Sequence, residues 1–417
     1  MPGDRDAFRA PVGTHDVLPP ESERWIDVVV SFADRAARFG YGLIVTPVFE
    51  HREVFERVGV ATDVVRKEMY DFTDKGGRDI ALRPEGTAPV VRAFVQHRPT
   101  VPWKVWYLAP NLRYERPQKG RYRQHWQLGA EAIGVADPEV DLEVIDLAHG
   151  FYRDVGAPAR LLLNSMGDAE SRPAYLAVLK EYLLDHAADL DPEFRERVEQ
   201  SPLRVLDSKR GDWRDVIERA PQLTEYLSDA AQEHFERVQR GLDAIGIEYE
   251  LAPRLVRGFD YYTSTTFEFV TDALDAAQNA VGGGGRYDRL SEEMGGPAEP
   301  GIGFGIGIER VLLAVQAATG DAPARGLDVF VVGGADPVLV HELRESGLAT
   351  DEAFGGRSWK AQLKAADRAG ATFAVLLGAE ERERGAVAVK RLDSAEQQEV
   401  PREQLVGWLQ EQLEQSS

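Results

Sequence analysis

The chain has 417 residues, room for two to four domains with separate cores, and its 43% hydrophobic and 29% charged content is that of an ordinary soluble globular protein. It contains no cysteine, which excludes disulfides and cysteine-held metals, and its eight histidines show no HExxH-type spacing, so no intrinsic metal site is expected. A net charge of −21 argues against a general nucleic-acid binder but not against a concentrated basic patch, since repulsion between exposed charges is screened beyond roughly 8–10 Å.

No apolar run reaches membrane-spanning length, and MPGDRDAFRAPVGTHD lacks the apolar core of a signal peptide, so a cytoplasmic protein with no membrane partner is expected. From Glu21 to Phe39 apolar residues recur at Trp25, Val28, Val29, Phe32, Ala36 and Phe39, the period of a helix, and Pro19-Pro20 marks its start. YGLIVTPVFE follows as a strand that contains Pro47. RPEGTAPVVRA, Arg83–Ala93, then sets Glu85, Gly86 and Thr87 at a turn into a helix. A carboxylate beside a hydroxyl suits an ammonium group, which donates three hydrogen bonds and accepts none; the same residues equally suit capping of the helix.

Trp103–Leu112 and Arg123–Gly134 read as strands around LRYERPQKGRYRQHWQLGAE, the most informative stretch of the chain. Arg113 and Glu115 are two residues apart and share a face; on the return strand Arg123, His125, Gln127, Gly129 and Glu131 share one face, and Trp126, Leu128, Ala130 and Ala132 the other. One face seeks the core, while the other resembles the floor of a polar ligand site. The segment Arg113–Arg123 sets Arg113, Arg116, Lys119, Arg121 and Arg123 against Glu115 alone. A solvated charged hairpin does not explain why these arginines share a face with Gln127 and Glu131.

Glu139–Phe151 reads as an amphipathic helix, and from about residue 167 to 246 leucine-rich helical periods dominate, interrupted by Pro192, Pro202 and Pro221, as a helical insertion would be. Strand signals return at Thr265–Val270, within LVRGFDYYTSTTFEF, where Arg257 and Gly258 precede the pair Tyr261 and Tyr262. Tyrosine pairs most often serve core packing. GGGGRYDRL, Gly282–Leu290, offers glycines that let backbone approach a ligand, and GIGFGIGIERVLLAV, Gly301–Val315, runs a glycine-rich strand into a helix with Arg310 near its start. A cation is a poor partner for that end of a helix dipole, and an anionic ligand there would resolve the conflict. The GxGxG run lacks the βαβ context of a dinucleotide fingerprint.

TGDAPARG, Thr319–Gly326, reads as a linker, after which LDVFVV, a helix near Pro337–Ser346, a helix near Ser358–Ala369, TFAVLLG, AVAVK and a final helix alternate as α/β. Arg357, Lys360, Lys364 and Arg368 recur at helical spacing; a solvated face is the default reading of such a stripe.

Taken in order, RPEGT, RYERPQKGRYRQHWQLGAE, RGFDYY, GGGGRYDRL and GIGFGIGIER resemble the motifs of the histidine–tRNA ligase family of class II aminoacyl-tRNA synthetases, over nearly the whole chain. The resemblance implies an α+β catalytic domain on an antiparallel sheet at 1–320, with the helical insertion at 167–246, a linker at 321–326, and an α/β anticodon-binding-like domain at 327–417. It implies histidine contacts from Glu85, Gly86, Thr87, Gln127, Glu131, Tyr261 and Tyr262. ATP contacts would come from Arg113, Glu115, Arg121, His125, Arg257 and Arg310, with Arg113 and Arg257 catalytic at the α-phosphate. The family's phenylalanine at the adenine is His125 here. Contacts to histidine tRNA would come from Arg116, Gln118 and Lys119 in the loop and from Arg357, Lys360, Lys364 and Arg368. Mg²⁺ would accompany ATP, and the first helix and strand would build a homodimer. The rival implied by the same fold is a catalytically silent paralogue, the regulatory subunit of ATP phosphoribosyltransferase, which would be expected to lack the C-terminal domain and to have eroded substrate motifs. Synthetases for threonine, proline or glycine fit less well, because RGFDYY and Glu131 argue against them.

Overall fold

The computed structural model describes residues 8–59, 64–186, 192–206, 208, 210–256, 261–274, 279–320, 326–334, 336–378, 384–394 and 396–415. The chain divides into two compact units, Met1–Val17 with Arg24–Asp321, and Leu18–Glu23 with Ala322–Ser417.

In the first unit the strands are β1 Gly42–Leu43, β2 Phe49–His51, β3 Asp71–Thr73, β4 Asp79–Leu82, β5 Trp103–Leu112, β6 Gln124–Ile133, β7 Arg160–Ser165, β8 Tyr249–Leu251, β9 Thr263–Val270, β10 Ala280–Arg286 and β11 Gly301–Gly307. Eight of them make one sheet in the order β1-β5-β6-β11-β10-β9-β7-β8. It is antiparallel inside and parallel at both ends, where β1 pairs with β5 and β8 with β7. The long β5–β6 ladder runs from Trp103 opposite Ile133 to Leu112 opposite Gln124. The remaining three strands form a small antiparallel sheet, β2-β4-β3.

The helices of this unit are α1 Glu21–Arg38, α2 Arg52–Gly59, α3 Thr87–His97, α4 Pro138–Asp154, α5 Ser171–His186, α6 Pro192–Gln200, α7 Pro202–Leu206, α8 Arg214–Glu218, α9 Asp229–Ile245, α10 Leu290–Glu293 and α11 Ile308–Thr319. One face of the large sheet is closed by α1, α4, α9 and α11: Phe32, Val144, Phe235 and Val311 share a core with Leu128, Ala130 and Ala132 of β6 and with Phe304 of β11. Period two then sends the other half of β6 to the opposite face, where the site lies. A second core joins α3 and α5–α8 to Tyr261, Tyr262 and Tyr287. Within the leucine-rich stretch 167–246 the helices therefore separate, because Phe235, Val238 and Leu242 of α9 join the first core and α5–α8 the second. Two of the prolines in that stretch open α6 and α7, at the helix position that has no N–H to lose.

YGLIVTPVFE is not one strand. It divides into β1, at the edge of the large sheet, and β2, in the small sheet, with Pro47 between them where no N–H is available for a ladder. A buried ion pair ties β10 to the helices: Arg286 meets Asp141 of α4 at 2.6 Å, and Asp141 also meets His234 Nε2 of α9 at 2.7 Å.

The second unit carries strands β12 Val329–Val332, β13 Thr350–Glu352, β14 Phe373–Leu376, β15 Ala386–Arg391 and β16 Gln397–Pro401, in the order β13-β12-β14-β15-β16. Helix α12, Pro337–Glu345, and the C-terminal helix Leu405–Glu414 close one face through Leu339, Leu343, Leu405 and Leu409; α13, Trp359–Arg368, closes the other through Ala366. The polar β13 and the exposed β16 lack a hydrophobic pattern and were not evident in the sequence.

Candidate functional site

Strand β6 presents Glu131, Gln127 and His125 in alternation on the face away from the helical core, so one backbone element carries side chains from one end of the site to the other. Glu131, at the inner end, is fully buried. Thr87 Oγ1 donates to its Oε1 at 2.8 Å, Tyr287 OH to its Oε2 at 2.6 Å, and Tyr107 OH approaches Oε1 at 3.4 Å. Burial outweighs these donors and pushes the Glu131 carboxyl up to about 8. Such a group accepts a donor N–H and holds or yields one proton near neutral pH.

Glu85 is the second buried carboxylate. Its two oxygens accept from the backbone N–H groups of Thr87 and Ala88, at 2.6 and 2.7 Å, so it caps α3. Of the two readings open in the sequence, capping is seen directly. It leaves lone pairs on both oxygens for a further donor. Burial raises this carboxyl, against the two backbone donors and Arg113. Tyr261 and Tyr262 are buried beside these groups, with ring centroids 4.6 Å apart, and Tyr261 meets Tyr287 edge-on at 6.0 Å. Glycine is required at two kinds of place. A Cβ on Gly303 or Gly305 of β11 would overlap Glu131 or Gln127, and one on Gly86 or Gly129 would overlap the Tyr107 ring.

Toward the outer end of β6 the chemistry changes sign. A cavity of about 240 Å³ is lined by Arg113, Glu115, Arg121, His125, Gln127 and Arg310, with Glu268 and Glu309 on its wall. β5 stops at Leu112, so Arg113 and Glu115 lie past the strand and do not share the strand face that their spacing of two predicts; the ladder closes with Arg113 N–H donating to Arg123 O at 2.8 Å, and both side chains still line the cavity. Arg113 Nε donates to Pro84 O at 2.7 Å, and Glu115 sits between Arg113, at 3.8 Å, and Arg121. Arg310, third residue of α11, donates to Gly120 O at 3.2 Å and Ala280 O at 2.6 Å, so carbonyl oxygens satisfy the cation at this helix start. His125 is driven down to about 3 by burial and by Arg113, Arg310 and Arg121; it is a neutral, flat ring at physiological pH. Planar cations around a neutral aromatic ring suit a phosphorylated heterocycle.

Arg116, Gln118 and Lys119 stand exposed on the loop between β5 and β6, which turns tightly where Gln118 and Arg121 exchange backbone hydrogen bonds. In the second unit Lys360, Lys364 and Arg368 form an exposed line on α13 opposite its buried Gln362 and Ala366. Arg357, predicted on that helix face, precedes the helix; its carbonyl accepts from Gln362 Nε2 at 2.6 Å. Arg257 and Gly258 lie outside the described residues.

Several site residues carried no sequence signal of their own. Tyr107 is an ordinary strand aromatic until its ring is seen between Gly86 and Gly129. Tyr287 lay within GGGGRYDRL, but its bond to Glu131 depends on the β10–β11 pairing. The His15 ring packs tilted against that of Tyr122, with centroids 4.4 Å apart, and Gly13 O accepts from Arg123 N–H at 2.7 Å, which brings the N-terminal segment to the basic loop.

Residues 13–311 match the family model described as histidyl-tRNA synthetase, and residues 337–412 that described as an anticodon binding domain. A histidine–tRNA ligase of Geobacillus thermodenitrificans is 46% identical over 97% of this chain and 98% of its own. One from Rhodococcus erythropolis is 47% identical over 98% of each. The crystal structure of apo Staphylococcus aureus histidyl-tRNA synthetase matches with a TM-score of 0.81 at 35% identity, covering 97% of this chain and 100% of that one.

Proposed function

The chain belongs to the histidyl-tRNA synthetase family and is an aminoacyl-tRNA synthetase that activates histidine with ATP for transfer to tRNA, and we propose which of its residues perform each step. In the first half-reaction a histidine carboxylate oxygen attacks the α-phosphorus of ATP, its bond to the pyrophosphate oxygen breaks, and histidyl-adenylate forms. In the second, the terminal ribose hydroxyl of the tRNA attacks the adenylate carbonyl and AMP leaves.

Histidine lies along the inner part of the β6 face. Glu131 accepts its imidazole N–H, a tyrosine hydroxyl of the Tyr261–Tyr262 pair donates to the other ring nitrogen, and Glu85, Gly86, Thr87 and Gln127 surround its α-amino group. A side chain without ring nitrogens would offer no N–H to the buried Glu131 and no acceptor to the tyrosine hydroxyl, which is how such a pocket excludes leucine or phenylalanine. ATP occupies the basic cavity. Arg113, with Arg257 from RGFDYY, neutralises charge at the α-phosphate, Arg310 holds the γ-phosphate, Arg121 and Glu115 position the nucleotide, and His125 stacks on the adenine. Glu268 and Glu309, the hard oxygen donors on that wall, would hold the Mg²⁺ that accompanies the nucleotide, and the ion would supply charge neutralisation at the phosphates. Arg116, Gln118 and Lys119 face the tRNA acceptor end, and Arg357, Lys360, Lys364 and Arg368 its backbone near the anticodon.

The exposed apolar residues Ile26 and Val30 of α1, with Leu43, Val45 and Phe49 after it, support a homodimer, and a tRNA substrate supports a cytoplasmic setting. The two compact units support a catalytic domain at 1–320, a linker at 321–326 and a tRNA-binding domain at 327–417. The observation that carries the assignment is the single β6 face that joins the buried Glu131 to the cationic cavity through Gln127 and His125. Histidine-dependent ATP–pyrophosphate exchange tests it. Exchange with histidine and not with other amino acids is expected; none with histidine would favour the catalytically silent regulatory paralogue.

A further inference from the structure

Arg83 opens the RPEGT motif, yet no substrate role falls to it. It is 3% exposed, and its guanidinium donates to protein oxygens of two other segments. Nε donates to Pro110 O at 2.8 Å; Nη1 donates to Thr46 Oγ1 at 2.9 Å, Thr46 O at 3.2 Å and Pro47 O at 3.3 Å. Its own backbone is held on both sides, with Arg83 N–H donating to Val48 O at 2.9 Å and Arg83 O accepting from Leu112 N–H at 2.9 Å. One residue on, Pro84 O accepts from Arg113 Nε at 2.7 Å; two residues on, Glu85 caps α3. Burying a guanidinium is costly, and Arg83 meets that cost with carbonyls rather than a paired carboxylate.

We propose that Arg83 is a positioning residue that sets Arg113 against Glu85 by locking segments 46–48, 83–85 and 110–112 together. This rests on the assignment of Arg113 to the α-phosphate given above. Phosphoryl transfer depends on geometry, and a displacement of about 1 Å remote from the chemistry costs on the order of 100-fold. A lysine keeps the charge but replaces the rigid fork, which serves Pro110 from Nε and Thr46 from Nη1, with a single nitrogen.

The test is a double-mutant cycle in pyrophosphate exchange, with Arg83→Lys, Arg113→Lys and both together in the full chain. Arg83→Lys should lower kcat on the order of 10–100-fold, with the KM for histidine within about three-fold of wild type. The double variant should be no worse than Arg113→Lys by more than about three-fold, because once the Arg113 fork is gone there is no fork placement left to lose. Losses that multiply would overturn the proposal, as would an Arg83→Lys enzyme with wild-type kcat. Thr46→Val, which removes one acceptor and leaves Arg83 in place, gives the same cycle if Arg83→Lys does not fold; a loss of about three-fold that vanishes on the Arg113→Lys background is expected, and no loss on either background overturns the proposal. Wild-type exchange is the control: its absence would defeat the functional assignment and not the role of Arg83.

Discussion

The pocket around Glu131 and the cavity around Arg113 share one face of β6, yet they handle charge in opposite ways. Glu131 is sealed from water among hydroxyl donors, and burial leaves its carboxyl poised near neutrality. Arg113, Arg121 and Arg310 keep partial exposure and are held by Glu115 and by the carbonyls of Pro84, Gly120 and Ala280. On the proposed assignment the first region chooses the amino acid, since a buried acceptor disfavours a ligand without the matching donor, and the second holds charge that develops during reaction, for which oriented cations are needed whatever the amino acid.

The largest effect that separates them should come from Arg113→Ala. Loss of a guanidinium at the transferring phosphoryl group costs about 3–5 kcal/mol of transition-state stabilisation, while histidine binding, read by equilibrium titration, stays near wild type. A variant with exchange within a few-fold of wild type would remove Arg113 from the chemistry.

Ending the chain near Arg325 should leave both regions intact, because the cores of the two units are built from separate residues. Exchange should survive and tRNA charging should fall. Losing roughly two to four phosphate contacts should also flatten the salt dependence of tRNA binding by about 0.9 per contact. Equal loss of both activities would mean that the second unit supports the first; unchanged charging would mean that it does not serve tRNA.

Glu131 also makes a stability prediction. Its carboxyl is near 8 when folded and in the ordinary range near 4.5 when unfolded. At low pH it is neutral in both states, and above 8 charged in both, so stability falls as pH rises between these values. Glu131→Gln mimics the neutral form, so its Tm relative to wild type should climb from pH 5 to pH 8.5. A difference flat with pH would show that the carboxyl is not poised.

The smallest effect belongs to His125→Phe. With its pKa near 3 the imidazole already behaves as a neutral ring, so the KM for ATP should change by less than about three-fold and show no titration between pH 6 and 8. A pH-dependent KM that disappears in the variant would mean that His125 is charged when ATP binds.

The sequence was most legible where period two and a ligand site coincide. The alternation along β6 places Leu128, Ala130 and Ala132 in the core and Glu131, Gln127 and His125 in the site, as their spacing predicts. The helices of the second unit at Pro337–Glu345 and Trp359–Arg368 fall within a residue of expectation because their buried residues keep the helical period. What period alone cannot reveal is the partner of a strand. Pro47 hid the hand-over of one apolar run between two sheets, and the bond from Tyr287 to Glu131 exists only because β11 lies between their strands. Arg83 looked like the lead residue of a motif; its role as a joint depends on three segments distant in sequence.

The division of labour along β6 is tested most directly by steady-state exchange kinetics on Glu131→Gln, with histidine and ATP varied in turn. At pH 8.5, above the titration of Glu131 near 8, losing a charge-assisted hydrogen bond costs about 1.5–3 kcal/mol, so the KM for histidine should rise roughly 10- to 150-fold while that for ATP stays within two-fold. An unchanged KM for histidine, or an equal rise for both substrates, would contradict the assignment of Glu131 as the residue that selects the amino acid.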